Sequence, residues 1–224
     1  MDNNPFSGIN KNTTLFIVIT QAIMMVWSIG SSYLHAGTTS AFIVTIGSFV
    51  IYLVYAFITK NSLFIKLLLF GFMAGVLELW ADHYSVAIIS TLIYPAGEPM
   101  IISSPLYMPL SWAIALTQLG YYSLLLVRWK NLKVATALMA ISGGMYIPMY
   151  ENLAKNAGWW WYQNCSMLSN APYYIIICEA LLSLTLPFLV YTIAKKDWKW
   201  AIILGILEGI WILISAIIAF FIAP

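Results

Sequence analysis

Charge is what this sequence has least of. Only 8% of its 224 residues are Asp, Glu, Lys or Arg and 62% are hydrophobic, whereas a soluble domain carries roughly 25% charge. A chain so poor in charge cannot solvate a globular surface, and lipid is the implied solvent. Histidine is nearly absent too: His35 and His83 are the only two, too few for the multi-histidine iron sites of membrane desaturases. Arg128 is the single arginine and no aspartate-rich pair accompanies it, which argues against a magnesium-held prenyl diphosphate. The two cysteines, Cys165 in a polar connection and Cys178 in an apolar run, show no metal-type spacing and are not expected to pair. Nothing resembles a nucleophile elbow, and no lysine interrupts the last apolar run, so a retinal Schiff base is not expected. The net charge of +2 comes from residues beside the apolar runs, with no basic patch for nucleic acid.

Long hydrophobic runs are what it has instead. Stretches near 13–33, 40–59, 63–83, 105–127, 134–155, 171–194 and 200–222 each approach the about 20 residues needed to cross a bilayer core. The expected fold is an all-α integral membrane protein, a seven-transmembrane-helix bundle forming a single domain over residues 1–224. The opening MDNNPFSGINKN lacks the pattern of a cleaved signal peptide, so the first run is expected to remain as a span. Lys11, Lys60, Lys66, Arg128, Lys130, Lys133, Lys195, Lys196 and Lys199 fall at one end of the spans and only Lys155 at the other. Positive charge is retained on the cytoplasmic side, which predicts a cytoplasmic N-terminus and a non-cytoplasmic C-terminus. The expected location is a plasma membrane or endoplasmic reticulum, according to the organism. Asn164-Cys-Ser has the form of a glycosylation sequon on the outer side.

The two long outer connections, 84–104 and 156–170, are rich in Tyr, Trp, Pro and Gly and nearly free of charge. They read as lids over the bundle. A short internal repeat frames them. Glu78 is followed beyond its lid by Ser-Pro105-Leu-Tyr107, and Glu151 by Ala-Pro172-Tyr-Tyr174. Each proline is expected in the first turn of the next helix, where its missing N–H costs little. Common descent of the two hairpins and chance likeness both fit so short a match.

Five acids lie in or at the edge of the spans: Glu78, Asp82, Glu151, Glu179 and Glu208. A charged residue at the bilayer centre costs about 2.5–3.5 kcal/mol on insertion scales, and Lys66 and Lys155 are the only cations in these spans. Glu78, Asp82, Glu151 and Glu179 share one depth beneath the lids, while Glu208 sits deeper. Gly71, Gly75, Glu78 and Asp82 follow i, i+4, i+7, i+11 spacing, one helical face that should look into the bundle. The bland alternative is that each acid fixes packing by hydrogen bonds to a neighbouring helix. Aromatics gather at the same level, and Trp80, Tyr107, Trp112, Tyr150, Trp159 and Tyr174 are the candidate cavity wall. An interfacial belt is the alternative, above all for Trp159 to Trp161, but the opposite end is poorer in aromatics. Acids beside π-faces in a dry cavity can protonate an olefin or epoxide and stabilise the resulting cation. His83, next to Asp82, is a candidate proton relay.

GVLELWADHY around Glu78, a second acid in a later span and the Trp/Tyr-rich outer loops resemble the small seven-helix terpene cyclases of fungal meroterpenoid pathways and their bacterial relatives. That resemblance implies metal-independent, cofactor-free cyclisation of a membrane-dissolved isoprenoid, triggered by an acid. Glu78 matches the early acid of that family, and Glu151, Glu179 or Glu208 the later one. GGMYIPMYENLAKNAGWWWY and NAPYYIIICEALLSLTLPFLVY are similar to the final helices of emopamil-binding sterol isomerases, which carry a His before the early Glu where this chain has Ala74 and Gly75. That second resemblance implies a double-bond shift in a sterol-like substrate. From the residues themselves, Glu78, Asp82, Glu151 and Glu179 are the expected catalytic acids, and the two resemblances imply a lipophilic isoprenoid or sterol-like partner. A non-enzymatic lipid or small-solute carrier or receptor is the alternative of another class.

Overall fold

The computed structural model describes residues 4–224, and Asp2 lies outside them. An Asn or Asp side chain starts every helix that leaves the lysine-rich end. Asn10 accepts from Thr13 N at 2.9 Å ahead of α1 (Lys11–Leu34), and Asn61 from Leu63 N at 3.1 Å ahead of α3 (Ser62–His83). Asn131 accepts from Val134 N ahead of α5 (Leu132–Ala157), and Asp197 from Lys199 N ahead of α7 (Trp198–Ile222), both at 3.0 Å. Each satisfies an amide that has no partner inside the helix. The returning helices begin differently: α2 (Thr38–Thr59) follows Gly37 at φ 72°, while α4 (Met108–Trp129) and α6 (Tyr173–Lys195) grow out of short hairpins with no side-chain cap. All seven helices are long and apolar enough to cross a membrane, and the chain is a multi-pass membrane protein.

Close helix contacts follow the glycines. A Cβ at Gly75 of α3 would lie 2.5 Å from the Pro109 carbonyl oxygen of α4, and one at Gly205 of α7 would lie 2.6 Å from the Phe70 carbonyl oxygen of α3. Helix α3 is thereby pressed between α4 and α7, which buries Glu78 and Asp82 on the face shared with Gly71 and Gly75. One apolar core, with Tyr52, Phe64, Leu67, Tyr121 and Leu186, fills the lysine-rich half. A second, with Tyr107, Trp159, Trp160, Tyr162 and Tyr174, lies under the lids, and Trp112 packs against both.

The lids are more regular than their sequence. Helix α3 continues into a π-helical turn, Tyr84–Ile88, and then into β1 (Leu92–Ile93). Strand β2 (Met100–Ile101) pairs antiparallel with β3 (Ser104–Pro105), and beyond β4 (Trp161–Tyr162), β5 (Met167–Leu168) pairs in the same way with β6 (Ala171–Pro172). Ile102 and Ser169 take the same left-handed turn position, φ 58° and 60°. Strands β1 and β4 join the two lids, Leu92 opposite Tyr162 and Ile93 opposite Trp161. The first-turn reading of the prolines is corrected. Pro105 closes a hairpin three residues before α4, whose first turn holds Pro109 instead, and Pro172 closes the other hairpin as the N-cap of α6. A residue without an N–H is tolerated at the end of so short a ladder.

Candidate functional site

Glu78 and Asp82 are one turn apart on α3, and both are buried. Their carboxyls are within hydrogen-bonding range of each other, and the Trp112 indole lies beside Glu78. Glu78 Oε2 is buried with no hydrogen-bond donor aimed at it. Asp82 Oδ2 accepts from the Tyr94 hydroxyl at 2.6 Å. The Ser104 hydroxyl also faces Asp82, outside good hydrogen-bond geometry. On α5, Glu151 is buried, and its Oε2 accepts from Trp160 Nε1 at 2.7 Å. Both firm donors, Tyr94 and Trp160, belong to the lids.

Glu179 on α6 is half-buried, makes no hydrogen bond to the protein, and lies within electrostatic range of Glu78, Glu151 and Glu208. Its charge would meet no base: Lys66 donates to the Lys196 carbonyl, and Lys155 to Asn170 Oδ1 at 2.7 Å. Glu208 on α7 is fully buried and receives the Thr185 hydroxyl at 3.0 Å on Oε2. The four acids of the predicted level thus come from three helices. Among the described residues no three His, Cys, Asp or Glu side chains are grouped as ligands of a metal ion.

The phenols above the acids remain hydrogen-bond donors. Burial pushes the Tyr94 hydroxyl well above its ordinary range, with the Asp82 and Glu78 charges adding to it. Tyr162 is raised by burial and then by Glu151, and Tyr107 by burial and then by Glu98 and Asp82. Such groups stay protonated at any physiological pH.

Of the expected wall residues, Tyr107, Trp159 and Tyr174 are buried, and Trp112 and Tyr150 are half-buried. Tyr150 stacks on Tyr146 and approaches Trp160, with ring centres 5.7 and 5.9 Å away. Trp159 packs beside Trp160 with its Nε1 unpartnered. Tyr174 is held in the lid packing, its hydroxyl 2.7 Å from that of Thr91 and its ring edge-on to Phe220. Trp80 is a correction: it is 51% exposed on the outer face of α3. Two residues after Glu78 is about 200° around a helix, so the face that buries the acid turns Trp80 outward. His83 is another correction, because its Nδ1 pairs with the Ser103 hydroxyl at 2.8 Å and its ring meets Trp80, away from Asp82. Sequence reasoning did not select Trp160 or Tyr94 for the site. Only the polar tips of their aromatic rings could have marked them.

A family model described as Domain of unknown function (DUF6989) matches residues 79–223, from the residue after Glu78 through Asp82, Glu151, Glu179 and Glu208. No protein of curated function and no solved structure matches the chain. Since the match takes in well over half of the sequence, the chain belongs to the DUF6989 family.

Proposed function

We propose that this protein is an acid-initiated isoprenoid cyclase of the membrane. The observation that carries the reading is the contact between the Glu78 and Asp82 carboxyls, with no cation bonded to either. Two carboxyls that close cannot both be ionised without a cation, so the pair holds a proton in a largely apolar setting. Glu78, whose Oε2 has no donor, delivers that proton to an olefin or epoxide carbon, and Asp82, steadied by Tyr94, is the residue behind it. The carbocation that follows meets the π-faces of Trp112 and Tyr150. Glu151 or Glu179 takes the terminating proton, which balances the reaction without redox change. Likeness to the terpene cyclases supports the same reading, and the lysine-rich end of the helices supports a topology with the lids on the non-cytoplasmic side. Thiol labelling of Cys165 in sealed, right-side-out vesicles tests that orientation.

The experiment is turnover of lipophilic isoprenoids in D2O by purified protein, with products and co-purified lipids read by mass spectrometry. Expected is a cyclised product carrying one deuterium from solvent. Glu78→Gln and Glu151→Gln each abolish its formation while the protein still inserts and folds. Full activity in both variants overturns the acid roles. A product with a shifted double bond and no new ring moves the activity to an isomerase of the emopamil-binding kind. A carrier is the second reading, favoured by two similar hairpin units joined through β1 and β4, an arrangement transporters use around a central site. Its mark is an unreacted bound lipid or ion-dependent uptake.

A further inference from the structure

A slot between α1 and α2 has no part in that chemistry. Its volume is about 750 Å3. One face of α1 lines it, with Ile19, Ala22, Val26, Gly30 and Leu34, and Ser40 and Ile43 line it from the first turns of α2. Val26 and Ile43 are exposed, so the slot opens sideways to lipid. The two helices are tied at both ends of it. Below, Phe16 stacks on Tyr55 with ring centres 3.8 Å apart, and the Thr20 hydroxyl lies 3.0 Å from that of Tyr52. Above, the chain turns back through His35 and Gly37. A Cβ at Gly30 would meet nothing within 4 Å, whereas those at Gly75 and Gly205 would press on a neighbouring helix. Glycine is a poor helix former, and what its bareness supplies at position 30 is room in the slot.

The lid-side end of this apolar slot is polar. Trp27 Nε1 donates to the Ser40 hydroxyl at 2.9 Å and shares its proton with the Ser40 carbonyl at 3.2 Å. The Ser31 and Ser40 hydroxyls are bonded to each other, and both residues are buried and line the slot. Two hydroxyls joined by one hydrogen bond use one of their two protons. Thr20 and Ser28 of α1 donate back to the carbonyl four residues earlier. Ser31 and Ser40 make no such bond, so among the described residues the second proton of the pair has no acceptor. Helix α1, with 24 residues, is about 36 Å long against a hydrocarbon core of about 30 Å. Ser31 and Ser40 lie within a turn of the lid-side helix ends. The spare proton therefore stands at the level where acyl chains meet their ester carbonyls.

From Ile19 to Leu34 is about 22 Å along α1. A volume of about 750 Å3 over that length leaves a slot about 7 Å wide, too narrow for the helix of a second copy, about 10–12 Å across. One hydrocarbon chain fits. We infer that the slot binds an acyl chain of a glycerolipid, its ester carbonyl accepting the spare proton of the Ser31–Ser40 pair and its chain passing Gly30 and Ala22 toward Ile19. Such a chain carries its acceptor at one end, as the slot carries its donor. The site is separate from the acids, because Phe42 of α2 meets the Tyr107 ring edge-on at 6.2 Å and Ala41 joins the core beneath the lids.

Native mass spectrometry of the purified protein tests this, with titration by a diacyl phosphatidylcholine and by its dialkyl ether analogue, which lacks the carbonyls. Expected is one retained lipid, the diacyl form bound about threefold to tenfold more tightly, the worth of one net hydrogen bond. Ser31→Ala combined with Ser40→Ala removes that preference. Gly30→Leu fills the slot and weakens binding about tenfold, within the usual penalty of overpacking. Gly47→Leu, exposed elsewhere on α2 and equally free of neighbours, leaves binding unchanged. Photocrosslinking of the unsubstituted protein with a diazirine-bearing phosphatidylcholine gives adducts concentrated in residues 19–43, not on the exposed Leu207 and Ile214 of α7. Wild-type affinity in Gly30→Leu, equal binding of ester and ether lipids, or adducts spread evenly onto α7 overturn the inference. Retention of an isoprenoid in place of the glycerolipid overturns it as well, and so does a dimer that excludes the lipid, which gives the slot to a second copy.

Discussion

Asp82 and Glu151 each rest on one strong donor, and in both cases a lid supplies it. Removing a donor from a buried carboxyl leaves the acceptor desolvated and unpaired, worth about 1.5–3 kcal/mol for a hydrogen bond to a charged group. Trp160→Phe and Tyr94→Phe should each lower the unfolding free energy by that order, measured by equilibrium unfolding in mixed micelles. Tyr146→Phe, whose parent side chain is 39% exposed, should change it by less. Glu98 makes a prediction in pH. Burial raises its carboxyl above the usual range, opposed by the Thr38 hydroxyl, so the folded lid prefers the protonated form. Stability is then fullest below the ordinary glutamate range and declines as pH rises through the raised value. Glu98→Gln should flatten that decline in thermal unfolding curves taken across the acidic range, and an unchanged slope would show that Glu98 does not cause it. Tyr107 and Asp82 also face this region, and Tyr107 stays neutral throughout. At this scale the sequence disclosed residue type and depth but not azimuth within the lids. Glu78 and Asp82 were legible because helical spacing ties them to Gly71 and Gly75. Trp80 was misread because richness in aromatics was weighed without its angle around α3.

Helix α3 holds its place because glycines let two neighbours touch its backbone. In lipid, helices associate through close packing more than through solvent exclusion, so filling such a contact is felt directly. Gly75→Val should destabilise by about 1–3 kcal/mol, the usual penalty of overpacking, since even its Cβ would press on the Pro109 carbonyl. Gly47 is the control: it is exposed on α2 with nothing near a built Cβ. Gly47→Ala should leave unfolding unchanged or shift it slightly upward, as alanine is the better helix former. Equal losses at the two positions would mean that the glycine contact is not what seats α3. The seven helices were readable because about 20 apolar residues is a long, redundant signal. The hairpins were not, because two-residue strands carry no period. What specifies them is backbone geometry, the left-handed turns at Ile102 and Ser169, and neither residue type announces such a turn.

Across the whole molecule the two lid-bearing units are stitched together at several levels. Strand β1 pairs with β4, and Gln163 N donates to the Thr91 carbonyl at 2.8 Å. Below them Gly37 N donates to the Ala157 carbonyl at 2.8 Å, and His35 Nδ1 to the Asn156 carbonyl at 2.7 Å, tying the turn after α1 to the end of α5. Helix α7 closes the set by packing Gly205 and Gly209 on α3. The site lies between these units, since Glu78 and Asp82 come from one and Glu151 and Glu179 from the other. The only covalent link between α4 and α5 is the short turn at Lys130–Asn131, where no acid or lid residue lies. Cutting the chain there removes a connection but none of these contacts between the units, and helices inserted separately can still associate in the bilayer. Residues 1–130 and 131–224, co-expressed as separate polypeptides, should therefore co-purify through an affinity tag on either one. The reunited pair should unfold in mixed micelles at the midpoint of the intact protein, and either fragment alone should unfold below it. Fragments that insert stably yet fail to associate would show that the acids of the two units are held together by the connection and not by the packing between them.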